Sequence, residues 1–286
     1  MFSIIIPTKN SEKKILPCLN SIASQKNKIK IEVIFIDANS SDNTINIIKN
    51  FQKKNIKNIK FKYSINSDSA ESAIAQGIHC ATGKYIVFLG SDDRLYNKYT
   101  LTDVMNIFHK EKGDILYGSY ELINSKEKRI KTVIVENFNY KKILNKKNYI
   151  CATSLYFKKS IFNIIKKDID DGYDFAFILK TFNKFKVNKT DKILSKFQLH
   201  EMSNSGNFYK NIINIKKDWE ISKKYGGHYF NNYHLRYMII SILKFTKMLW
   251  LAEIKRKITW KKLLKKKINF KKNSNEVKER LDQNLK

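Results

Sequence analysis

Short apolar runs alternate with helical apolar patterns from residue 2 to residue 89. The runs at residues 2–6, 31–36, 59–63 and 85–89 have the length and the β-branched and aromatic content of buried strands. Between them, apolar side chains recur every three or four residues, which predicts a helix in each interval. Repeated strand-helix units form parallel sheets with right-handed crossovers. We therefore predict an α/β fold in which helices cover both faces of a mostly parallel sheet.

Acidic side chains stand just beyond three of these four strands. Asp37 follows the second, Asp68 the third, and the adjacent Asp92 and Asp93 the fourth, while Thr8 follows the first. The carboxyl ends of parallel strands share one edge, where open α/β sheets bind ligands. We therefore expect these side chains to gather there, where a buried carboxylate needs a compensating partner.

The pair Asp92 and Asp93 has two interpretations on the residues alone. Gly-Ser-Asp-Asp is ordinary turn chemistry after a strand. Adjacent carboxylates also hold a divalent cation where a diphosphate is bound. The loop after the first strand contains no glycine, which disfavours a dinucleotide enzyme and a P-loop NTPase.

The charge of the chain points to an anionic partner. The formal net charge is +30 over 286 residues, which suits nucleic acid, a phosphorylated substrate or acidic lipid. Lys, Asn and Ile are abundant throughout, as codon bias in an AT-rich genome would produce, so only the clustering of the charge is informative.

The cysteines predict a reducing compartment. Cys18, Cys80 and Cys151 are widely spaced and odd in number, which disfavours a disulfide framework and a zinc site. The pattern of a signal peptide is not found, and no apolar run has the length of a membrane span. We expect a cytoplasmic protein.

Three segments in this order resemble the family 2 glycosyltransferases with the GT-A fold. They are IIIPTKN at residues 4–10, VIFIDANSSDNT at residues 33–44 and ATGKYIVFLGSDD at residues 81–93. The resemblance implies an inverting transfer of a sugar from a nucleotide diphosphate sugar, usually a UDP-sugar, with Mn²⁺ or Mg²⁺ as cofactor. It also implies a glycan or lipid-linked acceptor hydroxyl in the synthesis of capsule, O-antigen or lipopolysaccharide.

The same resemblance implies roles for the residues that close the strands. The nucleoside of the donor would be held by Pro7, Thr8, Asn10 and Asp37. Asp68 falls near a further acid of the family that contacts the nucleotide.

The resemblance also assigns the metal and the catalytic base. Asp93 matches the metal ligand, and Asp92 precedes it in the metal-binding motif. Many members of the family have an acid where this chain has Gly172, so the resemblance implies that the role of base has shifted to Asp171 or Asp174. We favour Asp171, although acids at a helix start also have a purely structural explanation. His200 either completes the metal shell or lies in a surface loop.

The second half of the chain predicts an acceptor side and a basic extension. Residues 1–207 are expected to form the catalytic domain, divided into a donor half (1–95) and an acceptor half (96–207) with strands near 115–122, 131–135 and 150–157. The pattern of residues 208–286 predicts a helical extension. Ala152 and Thr153 stand where close relatives often carry His-Gln. The sequence therefore departs from the family pattern in the half that normally selects the acceptor.

The extension contains the densest positive charge. Ten of the eighteen residues from 255 to 272 are Lys or Arg and none is acidic, with apolar side chains interleaved. This pattern favours contact with an anionic membrane surface, and the alternative is a helix that packs on the domain. We expect a peripheral protein on the inner face of the cytoplasmic membrane.

Two other functions are alternatives to glycosyl transfer. A metal-dependent nucleotidyltransferase would usually show a glycine-rich basic loop after its first strand, which is absent here. A noncatalytic nucleic-acid-binding protein would explain the charge, but acids at strand ends repel phosphates and its recognised motifs are missing. We therefore expect no nucleic-acid partner.

Overall fold

The computed structural model describes residues 1–26, 29–54, 56–65, 70–165, 173–199 and 208–246. The chain opens with strand-helix units, as the apolar pattern predicts. These are β1 (Phe2–Thr8), α1 (Ile15–Ala23), β2 (Ile31–Asp37), α2 (Thr44–Gln52), β3 (Ile59–Ile65), α3 (Ala70–Cys80) and β4 (Tyr85–Phe88).

The later elements mix strands and short helices. They are β5 (Arg94–Leu95), α4 (Thr100–Glu111), β6 (Ile115–Asn124), β7 (Arg129–Val133), α5 (Tyr140–Asn145), β8 (Leu155–Lys158), α6 (Ser160–Ile165), α7 (Tyr173–Thr181), β9 (Val187–Leu199), α8 (Phe208–Lys224) and α9 (Asn232–Phe245). A short 3-10 turn, Ala152–Ser154, precedes β8.

The described strands form one mixed sheet. Its order is β3-β2-β1-β4-β8-β6-β9-β5, and β7 pairs with β6. Strands β1 to β4 are mutually parallel, which confirms the prediction for the first half. Strand β8 runs antiparallel to both β4 and β6 and so joins the parallel half to the second half. The carboxyl ends of β1, β2 and β4 therefore lie along one edge.

Apolar side chains leave the central strands on both faces of the sheet. Ile5 and Ile34 belong to a cluster on one face that includes residues of α3 and α7. Ile4 and Val33 belong to a second cluster, on the other face, that includes residues of α1 and α4. The alternation follows from the two-residue period of a strand. Strands buried on both faces explain why the sequence shows continuous apolar runs.

The region around residue 152 differs from the strand predicted at 150–157. The strand begins only at Leu155, because Thr153 and Ser154 turn their hydroxyls inward to Ser195, with Oγ1–Oγ and Oγ–Oγ distances of 2.9 and 2.7 Å. A buried cluster of hydroxyls that satisfy one another takes the place of a regular ladder. Ala152, which begins the turn, lies beside this cluster.

Helices α8 and α9 pack on the same apolar cluster as α7. Trp219, Ile221 and Tyr233 are buried members of it. The Tyr233 hydroxyl donates to the carbonyl of Ile143 at 2.6 Å, and the ring of Tyr233 lies 5.3 Å from that of Phe175 in α7. The described part of the extension, residues 208–246, is therefore fixed to the second half of the sheet.

Glu32 forms a buried polar centre at the end of the sheet opposite Asp37. Its carboxylate accepts hydrogen bonds from the Ser3 hydroxyl at 2.6 Å and from the Thr82 N–H and hydroxyl at 2.8 and 2.9 Å, and Lys62 Nζ lies at 2.6 Å. Burial by itself raises the pKa of Glu32, but these donors outweigh it and lower the pKa to about 2. One carboxylate thus joins β1, β2, β3 and the turn before β4.

Replacing Glu32 by Gln should destabilise the protein by about 1–3 kcal/mol at pH 7, because buried donors lose a charged acceptor. The folded pKa of Glu32 lies below its ordinary value of 4.5, so the wild type has the full contribution above that pH and loses it as the pH falls towards 2. Denaturant unfolding of both proteins from neutral to acid pH should therefore show a difference that shrinks on acidification.

The exposed acid Glu220, which pairs with Lys216 on the surface of α8, supplies the control for this experiment. Its change to Gln should alter the free energy of unfolding by less than about 1 kcal/mol at every pH. Equal stability of wild type and Glu32→Gln at pH 7 would contradict the structural role of Glu32.

Candidate active site

The ends of β1 and β2 are joined by the carboxylate of Asp37. Thr8 is in register with Asp37, and its hydroxyl donates to Asp37 Oδ2 at 2.6 Å. The N–H and the hydroxyl of Ser40 donate to Asp37 Oδ1 and Oδ2 at 2.6 and 2.7 Å. Asp37 is fully buried, so these three bonds replace the water that its charge has lost. The carboxylate fixes the loop after β2 to the end of β1.

Asn10 completes this connection from the loop after β1. Its φ of 46° lies in the left-handed region, which Asn tolerates better than most residues. Its N–H donates to Ser40 Oγ and its Oδ1 accepts from the Ser41 N–H, both at 2.9 Å. Thr8, Asn10 and Asp37 thus gather at one edge, as the sequence predicts, and their contact with a nucleoside stays a prediction.

Pro7 occupies the penultimate position of β1. It is in register with Ile36 of β2, so it stands beside the pair that joins the two strand ends. The fixed φ of proline limits the freedom of the chain just before the loop of Thr8 and Asn10. Of the residues predicted to hold the nucleoside, Pro7, Thr8, Asn10 and Asp37 are therefore close together. Asp68 lies outside the described residues.

The acid pair lies in a tight turn beyond β4. The Asp93 N–H donates to the Gly90 carbonyl at 3.0 Å. A Cβ placed on Gly90 would lie 2.5 Å from Asp93 Oδ2 and 2.8 Å from Asp92 Oδ1, closer than real side chains allow. Both carboxylates therefore converge over the bare backbone of Gly90. Ser11 Oγ lies 2.8 Å from Ser91 Oγ and connects this turn to the loop after β1.

Asp93 is a buried acid whose charge is poorly compensated. The residue is 3% exposed, and its Oδ1 accepts the backbone N–H of Gln198 at 2.9 Å. Burial, followed by the charge of Asp92, raises the pKa of Asp93 well above its ordinary value, against smaller opposing effects that include Arg94. A site that penalises negative charge in this way favours a bound cation.

Cys18 lies beneath the same turn, with its Sγ 3.6 Å from the Gly90 carbonyl oxygen. Burial raises the pKa of this thiol well above its usual value, and the charges of Asp93 and Asp92 raise it further. The thiol is therefore neutral at physiological pH. Because the thiolate is the reactive form, Cys18 is a packing residue rather than a nucleophile.

The residues present fit a Mn²⁺ or Mg²⁺ ion that is shared with a diphosphate. Asp92 and Asp93 supply hard oxygen ligands on one side. Within the residues described, no group of three or more His, Cys, Asp and Glu side chains forms a possible metal site. Mg²⁺ is often held by one or two carboxylates together with substrate phosphates, so two acids suffice here. His200, the predicted further ligand, lies outside the described residues.

The predicted base lies at or before the start of α7. Asp171 falls outside the described residues, and of Asp174, the second residue of α7, only the backbone is described. The helix itself is anchored, because Phe175 and Ile178 are buried in the core. The role of Asp171 or Asp174 as base stays a prediction.

Three contributors to the acid turn were not predicted from the sequence. Ser91 and Ser11 meet through their hydroxyls, and the signal available for them was only that both are serines beside strand-end motifs. The hydrogen bond from Gln198 to Asp93 could not be predicted from the sequence, because its donor is a backbone N–H, which every residue except proline has.

Arg94 was also missed, although it directly follows the acid pair. Its guanidinium Nη1 lies 2.9 Å from Glu127 Oε2 in the β6-β7 turn. Its positive charge also lowers the pKa of Asp93 slightly against the larger raising effects. The sequence pattern that could have identified it is an arginine directly after two acids, because its positive charge stabilises a turn that holds two carboxylates.

The chain matches a family model and named relatives. The model for glycosyl transferase family 2 matches residues 3–173. The Escherichia coli UDP-Glc:alpha-D-GlcNAc-diphosphoundecaprenol beta-1,3-glucosyltransferase WfgD is 28% identical over 85% of this chain and 94% of its own length. The Staphylococcus aureus poly(ribitol-phosphate) beta-N-acetylglucosaminyltransferase TarP is 29% identical over 76% of this chain and 61% of its own length.

Two solved structures share the fold. Residues 1–349 of S. aureus TarS in complex with UDP-GlcNAc give a TM-score of 0.58 at 21% identity, over 78% of this chain and 71% of that one. The mannosyltransferase PcManGT from Pyrobaculum calidifontis, in complex with GDP-Man and Mn²⁺, gives a TM-score of 0.61 at 12% identity, over 82% of this chain and 68% of that one. With the family model matching more than half of its length, the chain belongs to glycosyl transferase family 2 and is a glycosyltransferase with the GT-A fold.

Proposed function

We propose that this enzyme transfers a sugar, with inversion, from a UDP-sugar to a hydroxyl of a glycan or lipid-linked acceptor in the synthesis of a cell-surface polysaccharide. The observation that carries the proposal is the joined strand-end site. Asp37 ties β1 to β2, and the Ser11–Ser91 contact ties the same loop to the turn of Asp92 and Asp93. The loop after β1 therefore contacts both the proposed nucleoside position and the proposed cation position, which supports a nucleotide diphosphate as the ligand.

The relatives support the choice of donor and acceptor. WfgD is named for UDP-Glc and a diphosphoundecaprenol acceptor, and the TarS structure contains UDP-GlcNAc. TarP is named for a poly(ribitol-phosphate) acceptor. The PcManGT structure contains GDP-Man, so a GDP-sugar is the alternative donor. We propose UDP because WfgD at 28% identity is named for UDP-Glc and the TarS structure at 21% contains UDP-GlcNAc, whereas PcManGT is only 12% identical.

In the proposed mechanism, Asp93 and Asp92 hold the cation, while Thr8, Asn10, Asp37 and Asp68 orient the nucleoside. When bound, Mn²⁺ or Mg²⁺ supplies positive charge that stabilises the departing diphosphate. The carboxylate of Asp171 or Asp174 accepts the proton of the acceptor hydroxyl.

The stereochemistry follows from a single displacement. The acceptor oxygen forms its bond to the anomeric carbon as the bond from that carbon to the diphosphate oxygen breaks on the opposite face, which inverts the anomeric configuration. A side-chain nucleophile is not required for this step, which agrees with the neutral thiol of Cys18 beneath the acid turn.

We further propose that residues 1–207 form the catalytic domain and that residues 208–286 bring it to the cytoplasmic face of the membrane. No helix in the described part of the chain is long and apolar enough to cross a bilayer. A lipid-linked acceptor, as WfgD is named for, makes a peripheral position useful because donor and acceptor then meet at the membrane surface. The basic stretch 255–272 supplies the electrostatic attraction.

A donor screen tests the proposed function. The protein is incubated with UDP-Glc, UDP-GlcNAc and GDP-Man in the presence of Mn²⁺, and free nucleotide is measured with and without a chelator. We expect release of UDP that stops when the metal is removed. Release of GDP alone would move the donor to GDP-sugars, and pyrophosphate from a nucleoside triphosphate would favour nucleotidyl transfer.

Changing Asp93 to Asn should reduce transfer at least about a hundredfold, because a metal ligand is lost. The same change should raise the thermal unfolding midpoint in chelator at neutral pH, because it replaces a buried acid beside Asp92 by a neutral amide whose oxygen can still accept from Gln198. Mn²⁺ should stabilise the wild type and not the variant.

Asp103→Asn is the control for this pair of measurements, since Asp103 forms its ion pair with Lys192 at 2.6 Å, away from the acid turn. We expect it to retain transfer and the response to Mn²⁺. Normal turnover or an unchanged metal response in Asp93→Asn would remove Asp93 from the proposed metal site.

For the base, Asp171→Asn should lower turnover by about a hundred- to ten-thousandfold with the donor Michaelis constant kept, because proton removal is lost while donor contacts remain. Asp174→Asn should lower it less. Steady-state kinetics with a fixed acceptor measures both. A larger loss at Asp174 would reverse the assignment, and a loss below about tenfold at both would move the base elsewhere.

A further inference from the structure

Helix α9 has two different apolar faces. On one face, Tyr233 and His234 are buried, and the ring of Tyr237 stacks at 5.3 Å on Trp219 of α8. The other face turns large apolar side chains to solvent. Their exposed fractions are 58% for Leu235, 44% for Met238, 50% for Ile239, 55% for Ile242 and 90% for Phe245.

The exposed residues form one continuous stripe. At about 100° per residue, steps of three and four return to the same side of a helix, and these five residues follow such steps from the first turn of α9 to its end. We call them the α9 stripe. Phe230, 83% exposed just before α9, adds a ring at its start, 5.2 Å from the ring of His234. Single exposed apolar residues are common, but a contiguous stripe of this size marks an interaction surface.

The charge around the α9 stripe is positive. Residues 221–252 contain no Asp or Glu. Arg236 is exposed beside the stripe, and the stretch 255–272, with its ten basic residues, begins shortly after α9 ends. Asp218 of α8 acts on Tyr233, which lies on the buried face of α9 and not on the stripe. An apolar face with adjacent cations suits the boundary of an anionic bilayer, where apolar side chains enter the acyl region and cations meet the headgroups.

The alternative occupants fit these observations less well. A second copy of the chain would bring the same positive charge against itself, because a twofold interface places identical surfaces together. If the apolar residues of 255–272 folded back on the stripe, ten closely spaced cations without acids would be confined next to Arg236. A lipid surface neutralises the same charges.

We propose that the α9 stripe lies in the interface of an anionic membrane, so that α9 docks the enzyme by apolar insertion while the basic stretch attracts it. The inference deepens the membrane part of the proposed function and rests on it. It assigns the insertion to an element that is rigidly packed, through Tyr233 and Trp219, on the core of the catalytic domain. Docking through such a helix holds the domain at a fixed orientation to the bilayer, which a flexible tether would not do.

The test compares binding to vesicles of phosphatidylglycerol and of phosphatidylcholine by co-sedimentation of the full-length protein at low and high salt. The variant Ile239→Gln/Ile242→Gln removes apolar surface without changing charge. We expect it to lower the partition coefficient on phosphatidylglycerol by about tenfold, and most clearly at high salt, because salt screens the cations but not the apolar insertion.

A matched control uses the same chemistry elsewhere. Leu16 and Ile134 are 46% and 58% exposed on other parts of the molecule, and Leu16→Gln/Ile134→Gln should bind like the wild type. Lys265→Gln/Lys266→Gln/Lys267→Gln should weaken binding at low salt only. Equal loss in the α9 variant and the control would mean a general effect of lost hydrophobicity and would overturn the assignment to α9.

Each remaining outcome is also decisive. Wild-type-like binding by the α9 variant overturns the inference while leaving the basic stretch in place. No binding of the wild type to phosphatidylglycerol overturns the whole membrane proposal, whereas UDP release in the donor screen still judges the transferase. Labelling of Ile239→Cys with a thiol-reactive dye reports whether the α9 stripe is accessible. If, without vesicles, the variant is labelled no more than the wild type, the chain itself or a second copy covers the stripe and the inference is overturned. Light scattering then distinguishes a monomer from a dimer.

Discussion

The site depends on how the fold treats carboxylates that have been taken out of water. Desolvating a carboxylate costs several kcal/mol unless donors or a cation replace the water. Asp37 has its donors within the protein, because Thr8 and Ser40 supply three hydrogen bonds. Burial and then the charge of Asp92 raise the pKa of Asp93, and the backbone donors and the charge of Arg94 offset this only in part. The first carboxylate builds the loops of the site, and the second leaves a demand for positive charge that a ligand can meet.

Glu32 shows the same physics with the opposite outcome. Like Asp93 it is buried, but a lysine, two hydroxyls and an N–H donate to it, and its pKa falls to about 2. The two acids lie at opposite ends of the parallel strands. At the Glu32 end, complete compensation gives stability, whereas at the Asp93 end incomplete compensation leaves a position that suits the proposed cation. Perturbed acids of both kinds occur in proteins, and the partners around each one decide which is functional.

The sequence predicts well those features that depend on neighbours along the chain. The apolar runs that became β1, β2 and β4 and the acids that close them are local patterns, and so is the hairpin turn in which Asn124 Oδ1 accepts two N–H groups. Contacts between distant residues were not predicted. The 3-10 turn at 152–154 depends on Ser195, and the support of Asp93 comes from the backbone of Gln198, 105 residues away. A backbone donor leaves no trace in residue identity.

Glu32 and the α9 stripe were not predicted for a further reason. In both, the burial of the side chains is the opposite of what their residue types suggest. A glutamate in a strand indicates a solvent face, and an apolar helix indicates a core, yet Glu32 is buried and half of α9 is exposed. The helical pattern of α9 is apolar nearly all round because one side meets Trp219 and the core while the other meets solvent in the isolated chain. Such a helix needs two apolar environments. The core supplies the first, and in our proposal the membrane surface supplies the second, so the packing of α9 would set the orientation of the catalytic domain at the bilayer.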